Sequence, residues 1–397
     1  MYTGINASDI KERNRGLLLR LLCCEGVDSR IEMAKRSGLS KMAVTNITAQ
    51  LIQDGWMEET HLTETNRVGR NPMGLALSPR SPRVLGLYLS RKQATAVLSD
   101  ACCTIFHRET AVLEEGETQK TLLEKCLRIL HRVREKSPQT PLLGIGVAAI
   151  GPLDCENGIL LNPRNFFGIS QVPLKEALEK EWGLPVIFNN DMNAAALAEA
   201  LFSPDRRREF LYLGISDGVG AGIISDGRLF QNNGGFVGEM GHMGVDENGP
   251  LCSCGNHGCL ELYVSMPVIL AQAAAALQVQ EGTVAPEQLQ QVLLLPACGS
   301  IFRQLEYHLS YALTSAVNLL NPEMVLLGHE GVFLPDSLLF NIEKQINKKI
   351  LASGYRKIKV QKSSFGREAP IVGSVCCVLD KVFSGVLYAV GSHNNQE

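Results

Sequence analysis

The stretch GEMGHMGVDENGPLCSCGNHGCLE at 238–261 decides how the rest of this chain is read. His242, Cys252, Cys254 and Cys259 form a donor set of one imidazole and three thiols, of the kind that holds a tetrahedral zinc. Gly255 and Gly258 lie between the last cysteines, where the chain must turn tightly to bring separate sulfurs onto one ion. Four protein donors leave no open position for water or substrate, so the expected Zn2+ is structural and not hydrolytic. Glu239 and Glu261 bracket the set and are acids that the metal does not need. Carboxylates held beside a metal-bound imidazole can accept hydrogen bonds from a polyhydroxylated ligand. They can equally be surface residues beside a plain metal staple, and spacing alone leaves both readings open.

Around this stretch, 397 residues exceed one ordinary core and suggest two or three domains. Hydrophobic residues at 45% and charged ones at 20% are a soluble composition. A net charge of -3 gives no global attraction to nucleic acid, so any such function must come from a local surface. Of the 12 cysteines, those outside the cluster include the adjacent pairs Cys23-Cys24, Cys102-Cys103 and Cys376-Cys377, which seldom bridge to themselves. They point to a reducing, cytoplasmic setting. The first residues carry charges where a signal peptide needs an apolar core, and no run of about 18 apolar residues occurs.

The N-terminal region reads as helices. Ile10, Leu17, Leu18, Leu21 and Leu22 recur at helical spacing over 8–24. Ser29 and Glu32 have the spacing of a capping box opening a second helix to about Ser37. Gly38-Leu39 makes a turn, and Ser40 caps a third helix ending at Gly55. Met42, Ile47, Leu51 and Ile52 are expected inward, and Lys41, Thr45, Asn46 and Gln50 outward. Two helices joined by a short glycine turn, the second with short polar side chains, are a helix-turn-helix. Extended segments at 56–59 and 73–77 flank a polar loop with Arg67 and Arg70, a wing suited to phosphates or a minor groove. Ser40, Lys41, Thr45, Asn46, Arg67 and Arg70 are the expected DNA contacts. A helical protein-interaction module is the alternative.

Past a Pro/Ser linker near 78–82, strands at 84–89, 94–98 and 104–108 precede a helix at 118–136 and a buried strand at 142–150. A helix at 174–181, a strand at 186–189 and a helix at 192–200 continue the alternation of an α/β fold. Asn190-Asp191 falls at a strand's C-terminal end, where open α/β sheets bind ligands. The pattern restarts with strands at 210–215 and through 223–224, then alanine- and leucine-rich helices, strands at 324–327 and 358–361, and a closing helix over about 373–388. Two α/β lobes with a cleft between them are the simplest assembly.

The signature G-E-x-G-H followed by C-x-C-G-x-x-G-C-x-E, with NNDMNAAALAE at 189–199, resembles the ROK family of repressors, open reading frames and sugar kinases. The resemblance covers nearly the whole chain. It implies an α/β fold in which an N-terminal winged helix-turn-helix at 1–78 precedes a two-lobed actin-like, ribonuclease H-like sugar-kinase domain. Its first lobe would be 82–195, with the C-terminal helix at about 380–397 returning to it. The second would be 196–379, carrying the zinc loop and a dimer interface. The resemblance also implies that His242, Cys252, Cys254 and Cys259 bind Zn2+, and that Asn190, Asp191, Glu239, His242 and Glu261 face a sugar. Asp191 would be the equivalent of the kinase general base.

Departures from the family's kinase pattern bear on catalysis. Where kinases carry D-x-G-G-T, this chain has Tyr88 in place of the acid and Ser90-Arg91-Lys92 in place of two glycines and a threonine. Gly328-His329-Glu330-Gly331 departs from the paired glycines near adenosine. The expectation is therefore a cytoplasmic, sugar-responsive regulator without enzymatic activity, a repressor released from operator DNA by a monosaccharide or sugar phosphate. It would act as a homodimer or higher homo-oligomer. The alternatives are a bifunctional ATP-dependent sugar kinase and a regulator controlled by a protein partner.

Overall fold

Local capping chemistry accounts for where the first helices begin and end. A computed structural model describes residues 6–61, 73–205, 207–231 and 235–387. Helix α1 (Ala7–Glu25) opens on a reciprocal cap. Asn6 Oδ1 accepts from the Asp9 N–H at 2.9 Å, and Asp9 Oδ2 accepts from the Asn6 N–H at 3.1 Å. Ser29 caps α2 (Arg30–Ser37), but Glu32 does not complete the expected box. Arg36 claims it at 3.2 Å, because a guanidinium one turn away is a stronger donor than a backbone amide. Gly38, at φ 72, closes α2, and Ser40 Oγ accepts from the Ala43 N–H at the start of α3 (Lys41–Gln53).

The packed face of α3 is Val44, Ile47, Thr48 and Leu51. Met42, expected inward, is 71% exposed, since it lies about 200° around the helix from Val44. Strands β1 (Met57–His61) and β2 (Met73–Leu77) pair antiparallel, with Met57 opposite Leu77 and His61 opposite Met73. Arg67 and Arg70 lie outside the described residues.

The chain divides into two units, Met1–Asn189 with Ser374–Glu397, and Asn190–Gly373. In the first, β3 (Arg83–Leu89), β4 (Gln93–Ser99) and β5 (Ile105–Val112) form an antiparallel run. Helix α4 (Gln119–Glu135) leads to β6 (Leu142–Ala149), parallel to β3. After a short three-stranded ribbon come α5 (Leu174–Trp182) and β7 (Val186–Asn190), giving the order β7-β6-β3-β4-β5. Leu122, Cys126, Ile129, Leu130 and Val133 of α4 are buried in the same core as the strand residues Leu87, Ala96 and Val147. Each buried Leu, Ile or Val side chain among them is worth about 1.5–3 kcal/mol.

The second unit repeats the scheme. Helix α6 (Asp191–Phe202) is followed by β8 (Phe210–Ile215), β9 (Val219–Ser225) and β10 (Arg228–Leu229). Helices α7 (Met266–Leu277) and α8 (Gly299–Leu320) lead to β11 (Met324–His329), then α9 (Asp336–Lys349) and β12 (Lys359–Lys362). The order β10-β9-β8-β11-β12, with β8 and β9 antiparallel and β8, β11 and β12 parallel, matches the first sheet. Strands β8 and β11 are buried at every residue, which explains their unbroken apolar runs.

Helix α10 (Ala369–Phe383) closes the described chain. It stops short of the expected 388 because Gly385, at φ 75, adopts the left-handed conformation that ends helices. Among the described residues no helix is long and apolar enough to cross a membrane.

Candidate functional site

The loop at 238–261 is pressed onto β9 by its own glycines. Gly238 has φ 91, its carbonyl accepts from the Ala221 N–H at 2.7 Å, and a Cβ there would overlap the Ala221 carbonyl oxygen. Backbone bonds lace the loop to itself, with the Val245 N–H donating to Gly258 O at 2.8 Å and the Cys252 N–H to Asn256 O at 2.7 Å. Gly255 and Gly258, the expected turn residues, have φ 93 and 59.

This frame brings the four sequence-identified donors together: one ligand atom from each of His242, Cys252, Cys254 and Cys259 lies within 4.8 Å of all the others. Cys252 Sγ is 3.7 Å from His242 Nδ1, and Cys254 Sγ is 3.6 Å from Cys259 Sγ. A tetrahedral ion with sulfur bonds of about 2.3 Å has edges near 3.7 Å, so the donor set fits a metal of that size. Cys252 and Cys259 are buried and Cys254 is exposed. An imidazole that offers Nδ1 to an ion keeps Nε2 for another partner.

Every residue expected to face a sugar falls in the second unit. Asn190 is the N-cap of α6, and its Oδ1 accepts from the Met192 N–H at 2.8 Å. Asp191 is buried, with one carboxylate oxygen 2.9 Å from the same amide. Glu261 Oε1 lies 3.6 Å from His242 Nδ1 and 3.5 Å from Cys252 Sγ. Desolvation, with the carboxylates of Asp191 and Glu261 nearby, raises the Glu239 carboxyl above the ordinary range, against the pull of His242. Glu239 still has an open side towards solvent. The cluster thus offers carboxylates as acceptors around one imidazole.

One neighbour is named in the sequence only as part of the 328–331 departure and not as a site residue. His329, buried at the end of β11 with φ 53, places Nε2 3.8 Å from Asp191 Oδ2. The Tyr212 hydroxyl accepts from the His329 N–H at 3.1 Å, and it lies 3.0 Å from Nδ1. Either group can donate in the contact between Tyr212 and Nδ1, and the ring's Nε2 is left over. That atom is buried with no hydrogen-bond partner among the described residues. The signal available in the sequence was a lone histidine closing an apolar strand, a pattern shared with many core histidines.

On the helix-turn-helix, Ser40, Lys41, Thr45 and Asn46 are all exposed. Ser40 is committed to its cap, and the Thr45 hydroxyl donates to Lys41 O at 2.9 Å, while the Lys41 and Asn46 side chains have no partner among the described residues. In the β3–β4 hairpin, Ser90 Oγ donates to Gln93 O at 3.0 Å and accepts from the Gln93 N–H at 3.1 Å. Arg91 Nε donates to Arg164 O at 3.0 Å.

The ROK family model matches residues 84–381. The xylose repressor of Caldicellulosiruptor bescii is 28% identical over 399 residues, covering 97% of this chain and 100% of that one. A crystal structure of a ROK family transcriptional regulator, a homologue of the Escherichia coli Mlc protein, superposes with a TM-score of 0.80. Its identity is 28%, and 95% of this chain and 98% of that one are covered. The ROK hexokinase of Thermus thermophilus gives a TM-score of 0.64 at 26% identity, over 74% of this chain and 97% of that one. The family match takes in both five-stranded sheets and the whole Cys/His loop, and with it the chain belongs to the ROK family.

Proposed function

We propose that this chain is a sugar-responsive, DNA-binding transcriptional repressor. The observation that carries the reading is the coexistence of two features: a helix-turn-helix with its polar face open, and the Asn190, Asp191, Glu239, His242 and Glu261 group beside the Cys/His centre. A repressor relative aligned over its full length supports it. In this reading residues 1–78 bind DNA. Lys41, Thr45, Asn46, Arg67 and Arg70 supply contacts, and Ser40 holds the helix end. Two copies set their recognition helices about one DNA turn, roughly 34 Å, apart. His242, Cys252, Cys254 and Cys259 hold a Zn2+ whose chemistry is to fix the loop, so that His242 and Glu261 meet the sugar in a set geometry.

A monosaccharide or its phosphate donates to the carboxylates and hydrogen-bonds to His329 Nε2. Linkage then requires DNA to weaken sugar binding by the same factor by which sugar weakens DNA binding. A thermal-shift screen of monosaccharides and their phosphates tests this, since a ligand that binds the folded state alone raises its stability with concentration. No shift with any of them, in protein that binds DNA, would favour control by a protein partner. His329→Leu should weaken the hit about tenfold, because one hydrogen bond to a buried ring nitrogen is worth roughly 0.5–1.5 kcal/mol. Unchanged affinity removes His329 from the site.

The kinase reading draws on the fold shared with the hexokinase. Against it, Ser90 closes the β3–β4 hairpin on itself, leaving side chains where phosphate-binding amides are required. Steady ATP consumption with the identified sugar would reverse this assignment. For the wing, Arg70→Ala should weaken binding to all DNA sequences and lower the salt slope by about 1. An unchanged slope counts against a phosphate contact there.

A further inference from the structure

The first helix of the chain meets the last one through glycines. Glycine weakens a helix interior, so Gly16 in the middle of α1 needs a packing reason. A Cβ on it would lie 2.5 Å from Phe383 O and 2.6 Å from Val382 O, the last carbonyls of α10. A carbon and a carbonyl oxygen ordinarily come no closer than about 3.3 Å, so any other residue forces the two helices apart. The contact is made from both sides. Gly385, in the turn that ends α10, would place a Cβ 2.6 Å from the Arg13 nitrogen. That turn is closed by its own bonds, with the Gly385 N–H donating to Val382 O at 3.1 Å and the Val386 N–H to Lys381 O at 2.8 Å. Backbone thus rests on backbone, without the side chains that usually keep packed helix axes about 8–10 Å apart.

Towards its start α10 is held in the same way. Its residues 369–373 belong to the second unit and 374–383 to the first. Within the second unit, a Cβ on Gly373 would overlap the Ala194 carbonyl of α6, one turn on from Asp191. Within the first, Ser374 lies on β3 and β6, where a Cβ on Gly86 would overlap its hydroxyl and one on Gly146 its carbonyl. From there Val375, Cys376, Cys377, Val378 and Leu379 are all buried. A helix apolar on every side and enclosed at native density moves as one body with what it touches.

We propose that α10 is a lever through which α6, which carries Asp191, shifts α1 of the DNA-binding region. Gly373 and Ser374 are adjacent, so α6 presses on the lever beside its rest on β3 and β6. From Ser374 to Val382 the helix runs about 12 Å at about 1.5 Å per residue, so a tilt of about 5° carries its end about 1 Å. Side chains between two helices can absorb such a shift by changing rotamer. Bare backbones cannot, and the contact at Gly16 re-seats as a unit. Because α1 packs against α3, re-seating it moves the helix assigned to DNA. This consequence, and the role of Asp191, rest on the repressor reading, whereas the joint between α1 and α10 does not.

Full-length Gly16→Ala should exchange amide hydrogens at least about tenfold faster both in α1 and at 380–387, with β8 and β11 unchanged. Faster exchange in α1 alone, or in neither, overturns the joint. Should Gly16→Ala fail to fold, Gly385→Ala presses the same contact from beyond the last helix and is read the same way. Gly373→Ala tests the lever without any ligand, because it acts at the far end of α10 and should also quicken exchange in α1. Gly86→Ala, which meets the movable Ser374 hydroxyl, serves if that protein does not fold. An α1 that neither change reaches overturns the lever. On DNA selected from a random pool by the parent, with D-xylose, D-glucose and their phosphates as probes, Gly16→Ala should keep the parent's sugar affinity. It should lose at least about fivefold of the sugar's effect on DNA binding, and undiminished coupling also overturns the lever. A parent that binds no DNA, or whose DNA binding none of the probes changes, counts against the sugar-responsive repressor reading, and the exchange pattern still decides joint and lever.

Discussion

Cys254→Ser protein is expected to leave purification with almost no bound metal and to unfold roughly 10 °C below its parent. The parent should carry about one zinc per chain. Cys254 is exposed, and an exposed cysteine outside a metal centre ordinarily tolerates serine within about 0.5 kcal/mol. A large effect there therefore needs a ligand role. Loss of a structural zinc removes several kcal/mol, and each kcal/mol lowers the midpoint of a unit this size by about 2–4 °C. Elemental analysis and a thermal melt with and without chelator read both quantities. Equal metal content and an equal melting point in the two proteins would dismiss the four-donor centre. Sugar response should fall with the metal, since His242 and Glu261 sit on the braced loop.

Asp191→Asn should leave DNA binding intact while weakening the inducing sugar roughly 100-fold, which in cells would appear as repression that sugar no longer lifts. The substitution keeps the oxygen that accepts from the Met192 N–H, so the start of α6 is preserved. What it removes is the charge, and each charge-assisted hydrogen bond to a sugar hydroxyl is worth about 1.5–3 kcal/mol. Two such bonds account for the factor. Calorimetry with the sugar found by thermal shift measures it directly. Parent-like affinity would take Asp191 out of the site, and simultaneous loss of DNA binding would point to a folding defect.

Much of this was legible along the chain because it rests on interactions within a few residues. Ser29 and Ser40 cap the helices they precede, and the apolar runs at 210–215 and 324–327 are strands because nothing else of that length buries both faces. The four-residue Cys/His cluster could be read from spacing, since a loop of about twenty residues offers few ways to gather such side chains. Where local reading went astray, a competing neighbour was responsible. Glu32 answers Arg36 and not its own cap, and Met42 faces solvent because the stripe of α3 is centred on Val44, Ile47 and Leu51.

The sequence by itself determined the elements, the Cys/His loop and the family. Only the tertiary structure decided which distant groups meet. His329 reaches Asp191 because β8 and β11 pair in parallel, setting His329 beside Ile215 at the strand ends. Caps and periodicities act over a turn or two of chain, whereas strand order and helix packing join residues hundreds apart, and no local spacing carries that information.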